Sequence, residues 1–461
     1  MTTTPADALV LFGVTGDLAK KMLLPALYQL SARGLLTQPV VGVGRSDWGA
    51  DRLRQHAHDC VAAEGAVDEA AFSGFAKLLD YVRVDYDDPA TFTALAARVR
   101  PLGRLSHYVA VPPASYAVIA RRLAEAGLAD DALLVLEKPF GSDLASARAL
   151  QRELLRCFPE DRLRRVDHFL GKDVVEDLLT IRFANPLLGN ALDRRLVRSV
   201  QVTMAEDFDV ADRAGFYDAT GCLRDVVENH LLQTLAYFLM EAPRTDSADD
   251  ILAERTRALR AVRAVRPDDY VRGQYAGYLD VPGIRPGSVT ETFAALRLYV
   301  DTDRWSGVPF TVRAGKAMAT TALELIVELE QAVPGYCHTD CARQAEPNLL
   351  RFRLSPRAGL TFSLLAQDGA RADRVDPVEA VCDFTRLTGS GVRAYENVLH
   401  DVITGDPRRF VRMDMVEECW RIVGDILAPA GRPAAYQPGG WGPDEARRLV
   451  TDERWLPLEQ G

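Results

Sequence analysis

The run ALVLF at residues 8–12 is apolar without a break, and glycines follow it at positions 13 and 16. A strand that alternates buries one face. A strand apolar at every position buries both, as in a parallel sheet with helices on its two sides. The next segment, DLAKKMLLPALYQLSARGLL, reads as a helix. Strand, glycine turn and helix in this order let the backbone approach a pyrophosphate, with the helix N-terminus aimed at the anion. The spacing is G-x-x-G-x-x-A and not the stricter G-x-G-x-x-G, and such a turn also serves plain helix–strand packing.

PVVGVGRSDW follows at βαβ spacing. An acid usually ends the second strand of a dinucleotide fold and holds the ribose 2′-hydroxyl. Here Arg45 comes first, with Ser46 beside it, which suits a 2′-phosphate and hence NADP. A solvated surface arginine is the plainer reading, and Asp47 keeps NAD open as a secondary cofactor. LLDYVRVDY, LSHYVAVPP and ALLVLEKPFGSD supply further strands. VPP (111–113) and EKPFG (137–141) both break sharply at strand carboxyl ends, the edge of open α/β sheets where ligands sit. Lys138 is thereby placed to reach into a cleft, or to pair with Glu137 or another acid at the strand end.

Beyond RVDHFLGKD (165–173) the βα alternation fades. SVQVTMAEDF, TFAALRLYVD, ALELIVELEQ, LLRFRLSP and GLTFSLLAQ are long strand-like segments whose alternation suggests a large, mainly antiparallel sheet with helices on one face. The expected organisation is an N-terminal α/β domain of the Rossmann type over residues 1–170 and a C-terminal α+β domain over 171–461. His168 and Lys172 lie four apart, on one face if the segment is helical, and make a cationic patch suited to a phosphate, with Gly171 allowing close approach. Lys172 paired with Asp173 or Glu176 is the bland alternative.

Of seven histidines, His56 and His58 lie on a polar helix, His107 sits beside a strand, and His338 and His400 have polar surroundings. All five read as incidental. His230 lies in GCLRDVVENHLLQTLAYFLM among Asp225, Glu228, Asn229 and Gln233. A core histidine with one hydrogen bond would look the same. On a regular helix Asp225 and His230 lie about 140° apart at about 100° per residue, so they flank a pocket without pairing. An acid that orients His230 must come from elsewhere, and Asp167 at the domain junction is the best candidate for a carboxylate–histidine dyad.

The charge balance, 55 basic against 65 acidic residues or −10, argues against nucleic-acid binding. No apolar stretch approaches the roughly 18 residues of a membrane span, and the start has no basic leader or cleavage site, so the cytoplasm is the expected location. Seven scattered cysteines suit free thiols. CHTDC (337–341) could be half of a metal site, but no second cluster supplies the other ligands, so no metal is expected.

Together these motifs resemble the glucose-6-phosphate dehydrogenase family over nearly the whole chain. The resemblance rests on GVTGDLAKK, VGVGRSDW, VDYDD, VAVPP, EKPFG, RVDHFLGKD with RFAN, RAGFYDATGCLRDVVENHLLQ, VRGQYAGY, TETFAAL and RWSGVPFTVRAGK. It implies NADP-dependent, metal-free oxidation of glucose 6-phosphate at C1 to 6-phosphogluconolactone, the first oxidative step of the pentose phosphate pathway. It also implies a large sheet that builds a homodimer or a dimer of dimers. The resemblance makes His230 the general base and Asp167 its partner. It gives the 6-phosphate to His168 and Lys172, and sugar hydroxyls or the phosphate to Glu206, Asp225 and Lys316. Lys138 would lie between sugar and nicotinamide, and Gly13, Thr15, Gly16, Asp17, Leu18, Arg45, Asp85 and Tyr86 would hold the cofactor.

The chain departs from the family pattern at three places. Phe169 stands where a tyrosine is usual, RAGF (213–216) replaces RGGY, and Thr321 occupies the position of a second basic residue five beyond the lysine of RAGK. Two rival readings remain. One is a sugar oxidoreductase of the glucose-fructose oxidoreductase type, in which the EKP lysine does the catalysis; RVDHFLGK argues against it. The other is an NADP-binding sensor without turnover, against which stands the full set of Asp167, His168, Lys172 and His230.

Overall fold

The computed structural model describes residues 4–330, 347–367, 375–384, 394–428 and 431–458. CHTDC and His338 lie outside the described residues. Contacts divide the chain into two compact units. The first comprises 1–173, 243–254 and 391–417; the second comprises 174–242, 255–390 and 418–461. The single cut expected between 170 and 171 does not capture these later returns of the chain.

In the first unit, β1 (Ala8–Phe12), β2 (Val40–Gly44), β3 (Leu79–Arg83), β4 (Leu105–Val109), β5 (Leu133–Glu137) and β6 (Leu163–Val166) form a parallel sheet in the order β3-β2-β1-β4-β5-β6. This is the doubly wound order of dinucleotide folds. The unbroken apolar run of β1 explains itself. Leu9 and Leu11 pack into one layer with Leu24, Leu27 and Leu53, while Ala8, Val10 and Phe12 pack into the other with Phe92, Ile119 and Leu154. The helix Ala394–Thr404 completes the first layer with Val398, Leu399 and Val402. Covering that face takes a segment remote in sequence, which is why local patterns did not announce it. RVDHFLGKD does not begin as a connector, since Arg165 and Val166 end β6.

Among the described residues the second unit holds nine strands: β7 (Val197–Ala205), β8 (Tyr270–Tyr275), β9 (Phe293–Leu298), β10 (Phe310–Gly315), β11 (Ala322–Leu329), β12 (Leu349–Ser355), β13 (Gly359–Gln367), β14 (Val375–Asp383) and β15 (Ala434–Tyr436). Their order is β14-β13-β12-β11-β7-β10-β9-β8-β15. The sheet is mixed but mostly antiparallel, with β7–β10 and β8–β15 the parallel pairs. The helix Leu232–Leu239 buries every residue, and its Phe238 stacks 5.5 Å from Trp305. Gln201 of β7 binds the C-terminal segment at both ends, donating to the Arg454 carbonyl (3.1 Å) and accepting from the Leu456 N–H (2.8 Å). At the outer strands Leu364, Val378 and Val381 are about half exposed. Among the described residues no helix is long and apolar enough to cross a membrane.

Candidate active site

The carboxyl ends of the first unit's strands gather the expected cofactor residues. Gly13 has φ +77, and a Cβ there would lie 2.3 Å from the Ala110 carbonyl oxygen, so no L side chain fits. Its N–H donates to Val43 and its carbonyl accepts from Gly16, both at 2.9 Å. The turn carries Thr15, Gly16, Asp17 and Leu18 into a helix that is π-wound over Ala19–Leu23. Arg45 is exposed just past β2, and Asp47 lies 3.8 Å from Arg83. Past β3, the Asp85 carboxylate accepts from the Asp87 N–H (3.1 Å), and the Tyr86 ring sits 6.3 Å from Phe12. Burial pushes the Tyr86 hydroxyl up to about 12, so it stays neutral.

Glu137 pairs in register with Val166, so Lys138 and Asp167 leave the sheet on adjacent strands. Glu137 is buried and accepts hydrogen bonds from the hydroxyls of Tyr108 (2.5 Å) and Tyr395. Burial pushes its carboxyl up to about 7 against those bonds and the charge of Lys138. Asp167 is buried, and its Oδ1 accepts the Phe169 N–H at 3.0 Å. It opens a 3-10 turn, His168–Gly171, from which Lys172 exits in an extended conformation. The expected α-helical stacking of His168 over Lys172 therefore does not apply, because the turn is too tight and ends before Lys172. Instead Phe169 places its ring 3.9 Å from the Lys172 ammonium, a cation–π contact worth about 0.5–2 kcal/mol.

In the second unit the segment bearing Asp225 and His230 is wound differently from the expectation. Gly221 (φ +74) breaks the helix Ala214–Cys222, and a Cβ there would strike the buried Glu291 carboxylate. That carboxylate accepts the Leu223 N–H at 3.0 Å, at the start of a π-helix, Leu223–Leu231. In a π-helix, i→i+5 bonds bring residues five apart towards one face. The separation of about 140° drawn from α-helical spacing is thus an overestimate. Asp225 and His230 are 6% and 4% exposed. Arg213 reaches within 3.9 Å of the Asp225 carboxylate. The Asn229 amide donates to the Arg224 carbonyl (2.8 Å) and accepts the His230 N–H (2.6 Å).

Glu206 and Lys316 follow the parallel strands β7 and β10, where Ala205 stands opposite Gly315. Lys316 is buried, and its Nζ lies 2.6 Å from the Glu206 carboxylate and 4.5 Å from the Phe208 ring. Thr321 faces Asp207. It accepts the Asp207 N–H at 3.0 Å and donates its hydroxyl to the Asp207 carboxylate at 2.5 Å. The position of the family's second cation thus anchors the chain just after Glu206.

His107 is not beside a strand but within β4, fully buried, with Nε2 on the Leu128 carbonyl at 2.8 Å; burial lowers it to about 4. It is structural. Sequence reasoning missed Glu291, Arg213, Tyr395 and Asn397, all of which bear on the candidate residues. Glu291 lay within the quoted TETFAAL and Arg213 opened the quoted RAGFYDATG, while Tyr395 and Asn397 carried no distinguishing pattern.

Residues 10–177 match the model of the glucose-6-phosphate dehydrogenase NAD binding domain, and residues 179–456 match that of the glucose-6-phosphate dehydrogenase C-terminal domain. The chain is 40% identical over 457 residues to glucose-6-phosphate 1-dehydrogenase 1 of Mycobacterium bovis, covering 98% of this chain and 97% of the relative. It is 32% identical to glucose-6-phosphate 1-dehydrogenase of Bacillus subtilis, covering 97% of each. The solved glucose-6-phosphate 1-dehydrogenase of Mycobacterium avium is 41% identical, with a TM-score of 0.92 over 99% of this chain and 100% of that one. A glucose-6-phosphate dehydrogenase solved with its substrate glucose 6-phosphate is 29% identical, with a TM-score of 0.91 over the full length of both chains. With both of its halves matched by the family's two domain models and with relatives aligned along nearly its full length, the chain belongs to the glucose-6-phosphate dehydrogenase family.

Proposed function

We propose that the protein oxidises glucose 6-phosphate at C1 to 6-phosphogluconolactone with NADP, opening the oxidative pentose phosphate pathway. The observation that carries this reading is family membership along the whole chain with Asp167, His168, Lys172 and His230 all present. The residues suit a dinucleotide: the Gly13 turn leaves no room for a side chain, and Arg45 offers an exposed cation past β2. When bound there, NADP supplies the hydride acceptor. NAD serves as a secondary cofactor.

His230 accepts the C1 hydroxyl proton as hydride leaves C1, and Asp167 fixes its tautomer and raises its basicity. His168 and Lys172 hold the 6-phosphate. Glu206, Asp225 and Lys316 hold sugar hydroxyls or the phosphate, and Lys138 lies between sugar and nicotinamide. No metal enters the reaction. The half-exposed apolar side chains of β13 and β14 support a homodimer, or a dimer of dimers, built on the large sheet. The net charge of −10 supports neither nucleic acid nor an anionic membrane as partner, and the cytoplasm is the proposed location.

An absorbance assay of reduced cofactor tests this, run with glucose 6-phosphate and glucose against NADP and NAD. Turnover should be fastest with glucose 6-phosphate and NADP. Equal turnover of glucose would favour the glucose-fructose oxidoreductase reading, and no turnover with any pair would favour a sensor.

A further inference from the structure

Gly171 reads in the sequence as room for a phosphate to approach. In the structure its open side faces the protein: a Cβ there would lie 2.4 Å from the Ala394 carbonyl oxygen. The helix Ala394–Thr404 sits against the 3-10 turn at that point. Its Asn397 amide donates to the Gly171 carbonyl at 2.8 Å and to the Asp173 carboxylate at 2.6 Å. Two residues earlier, the buried Tyr395 stacks its ring on His168, with centroids 5.7 Å apart and planes only 5° off parallel. The same tyrosine bonds Glu137 at the end of β5. A segment more than two hundred residues downstream thus touches both ends of the turn and the strand beside it.

From this geometry we infer that Tyr395 and Asn397 are positioning residues, which hold His168 and Lys172 in the conformation that grips a sugar phosphate. The inference rests on the proposed role of those two residues. Stacking fixes the plane of the His168 ring. The Asn397 bonds fix the backbone from which Lys172 exits, and a short 3-10 turn with an extended exit has few bonds of its own to do this. The hydroxyl of Tyr395 belongs to a separate task, since it packs Glu137 against Tyr108. The groups around Glu137 are Tyr108 on β4, the Tyr116 side chain on its backbone carbonyl, Tyr395, and the charges of Lys138 and Asp167.

The test is the steady-state kinetics of Tyr395→Leu, Tyr395→Phe and Asn397→Leu, with glucose 6-phosphate and with unphosphorylated glucose at high concentration, and inhibition by inorganic phosphate. Tyr395→Leu should raise KM for glucose 6-phosphate about five- to tenfold, from loss of the aromatic stack. Asn397→Leu should raise it by about fivefold or more, since one lost bond is to a carboxylate. For both, kcat should change less than KM, and inorganic phosphate should inhibit more weakly. Residual turnover of glucose should be unaffected, because glucose carries no phosphate to grip. Tyr395→Phe keeps the stack and should stay within about twofold of wild type. Equal losses on glucose and glucose 6-phosphate would mean general disruption and would overturn the inference, as would a Tyr395→Phe as impaired as Tyr395→Leu. Should Tyr395→Leu fail to fold, Asn397→Leu decides alone. A wild type inactive on glucose 6-phosphate would sink the proposed function itself, whereas an active wild type with indifferent variants sinks only this inference.

Discussion

The candidate residues of the two units are built in different ways. In the first unit Lys138, Asp167, His168 and Lys172 stand on short irregular backbone past two parallel strands, braced by a distant helix. In the second, Asp225 and His230 are buried on a π-helix, and Glu206 and Lys316 form a close ion pair past two neighbouring strands. The first set is rich in partly exposed cations on a braced turn, as suits holding a phosphate. In the second, Asp225, His230 and Lys316 are buried, as suits moving a proton away from water. Substitution of His230 or of its proposed partner Asp167 should therefore cost kcat, and substitution of His168 or Lys172 should cost KM.

The largest expected effect is on the proton-moving side. His230→Asn keeps a polar side chain but cannot take the proton, so kcat should fall by about 10²–10⁴-fold, with dissociation constants for NADP and glucose 6-phosphate nearly unchanged. On the gripping side, Lys172→Gln removes a charge-assisted contact of roughly 1.5–3 kcal/mol. KM for glucose 6-phosphate should rise about ten- to hundredfold with a smaller change in kcat; a rise below threefold would remove Lys172 from the phosphate. Arg45→Ala should raise KM for NADP by about tenfold and leave NAD use nearly unaltered; equal losses with both cofactors would give Arg45 another role.

The smallest effect sharpens the comparison at its boundary. If Thr321 merely lacked a cation that relatives have, Thr321→Lys would lower KM for glucose 6-phosphate. The paired bonds to Asp207 argue instead that the hydroxyl steadies Glu206. Thr321→Lys should then raise KM by about threefold and Thr321→Ser should not. A fall in KM for Thr321→Lys would restore the simpler view.

What the sequence disclosed follows the same division. The parallel sheet was legible from β1, because a strand buried on both faces leaves an unbroken apolar run. Asp167, His168, Lys172 and His230 became candidates through the motifs RVDHFLGKD and RDVVENHLLQ, since His230 by itself reads equally as a core histidine. Their geometry was not legible. A 3-10 turn and a π-helix differ from an α-helix by one hydrogen-bond step in opposite directions, and residue spacing alone does not report that step. The return of 394–404 was hidden because its apolar residues read the same whichever sheet they cover. The bonds of Thr321 to Asp207 were not legible either, since nothing in the sequence sets Asp207 opposite it.

The division of labour is tested most directly by measuring His230→Asn and Lys172→Gln side by side, with kcat and KM for glucose 6-phosphate determined under one set of conditions. The account predicts a crossed result: His230→Asn loses about 10²-fold or more in kcat at near-normal KM, and Lys172→Gln loses about tenfold or more through KM at near-normal kcat. If His230→Asn kept more than about a tenth of wild-type kcat, or if both variants lost the same parameter to the same degree, the assignment of proton transfer to His230 and phosphate grip to Lys172 would be contradicted.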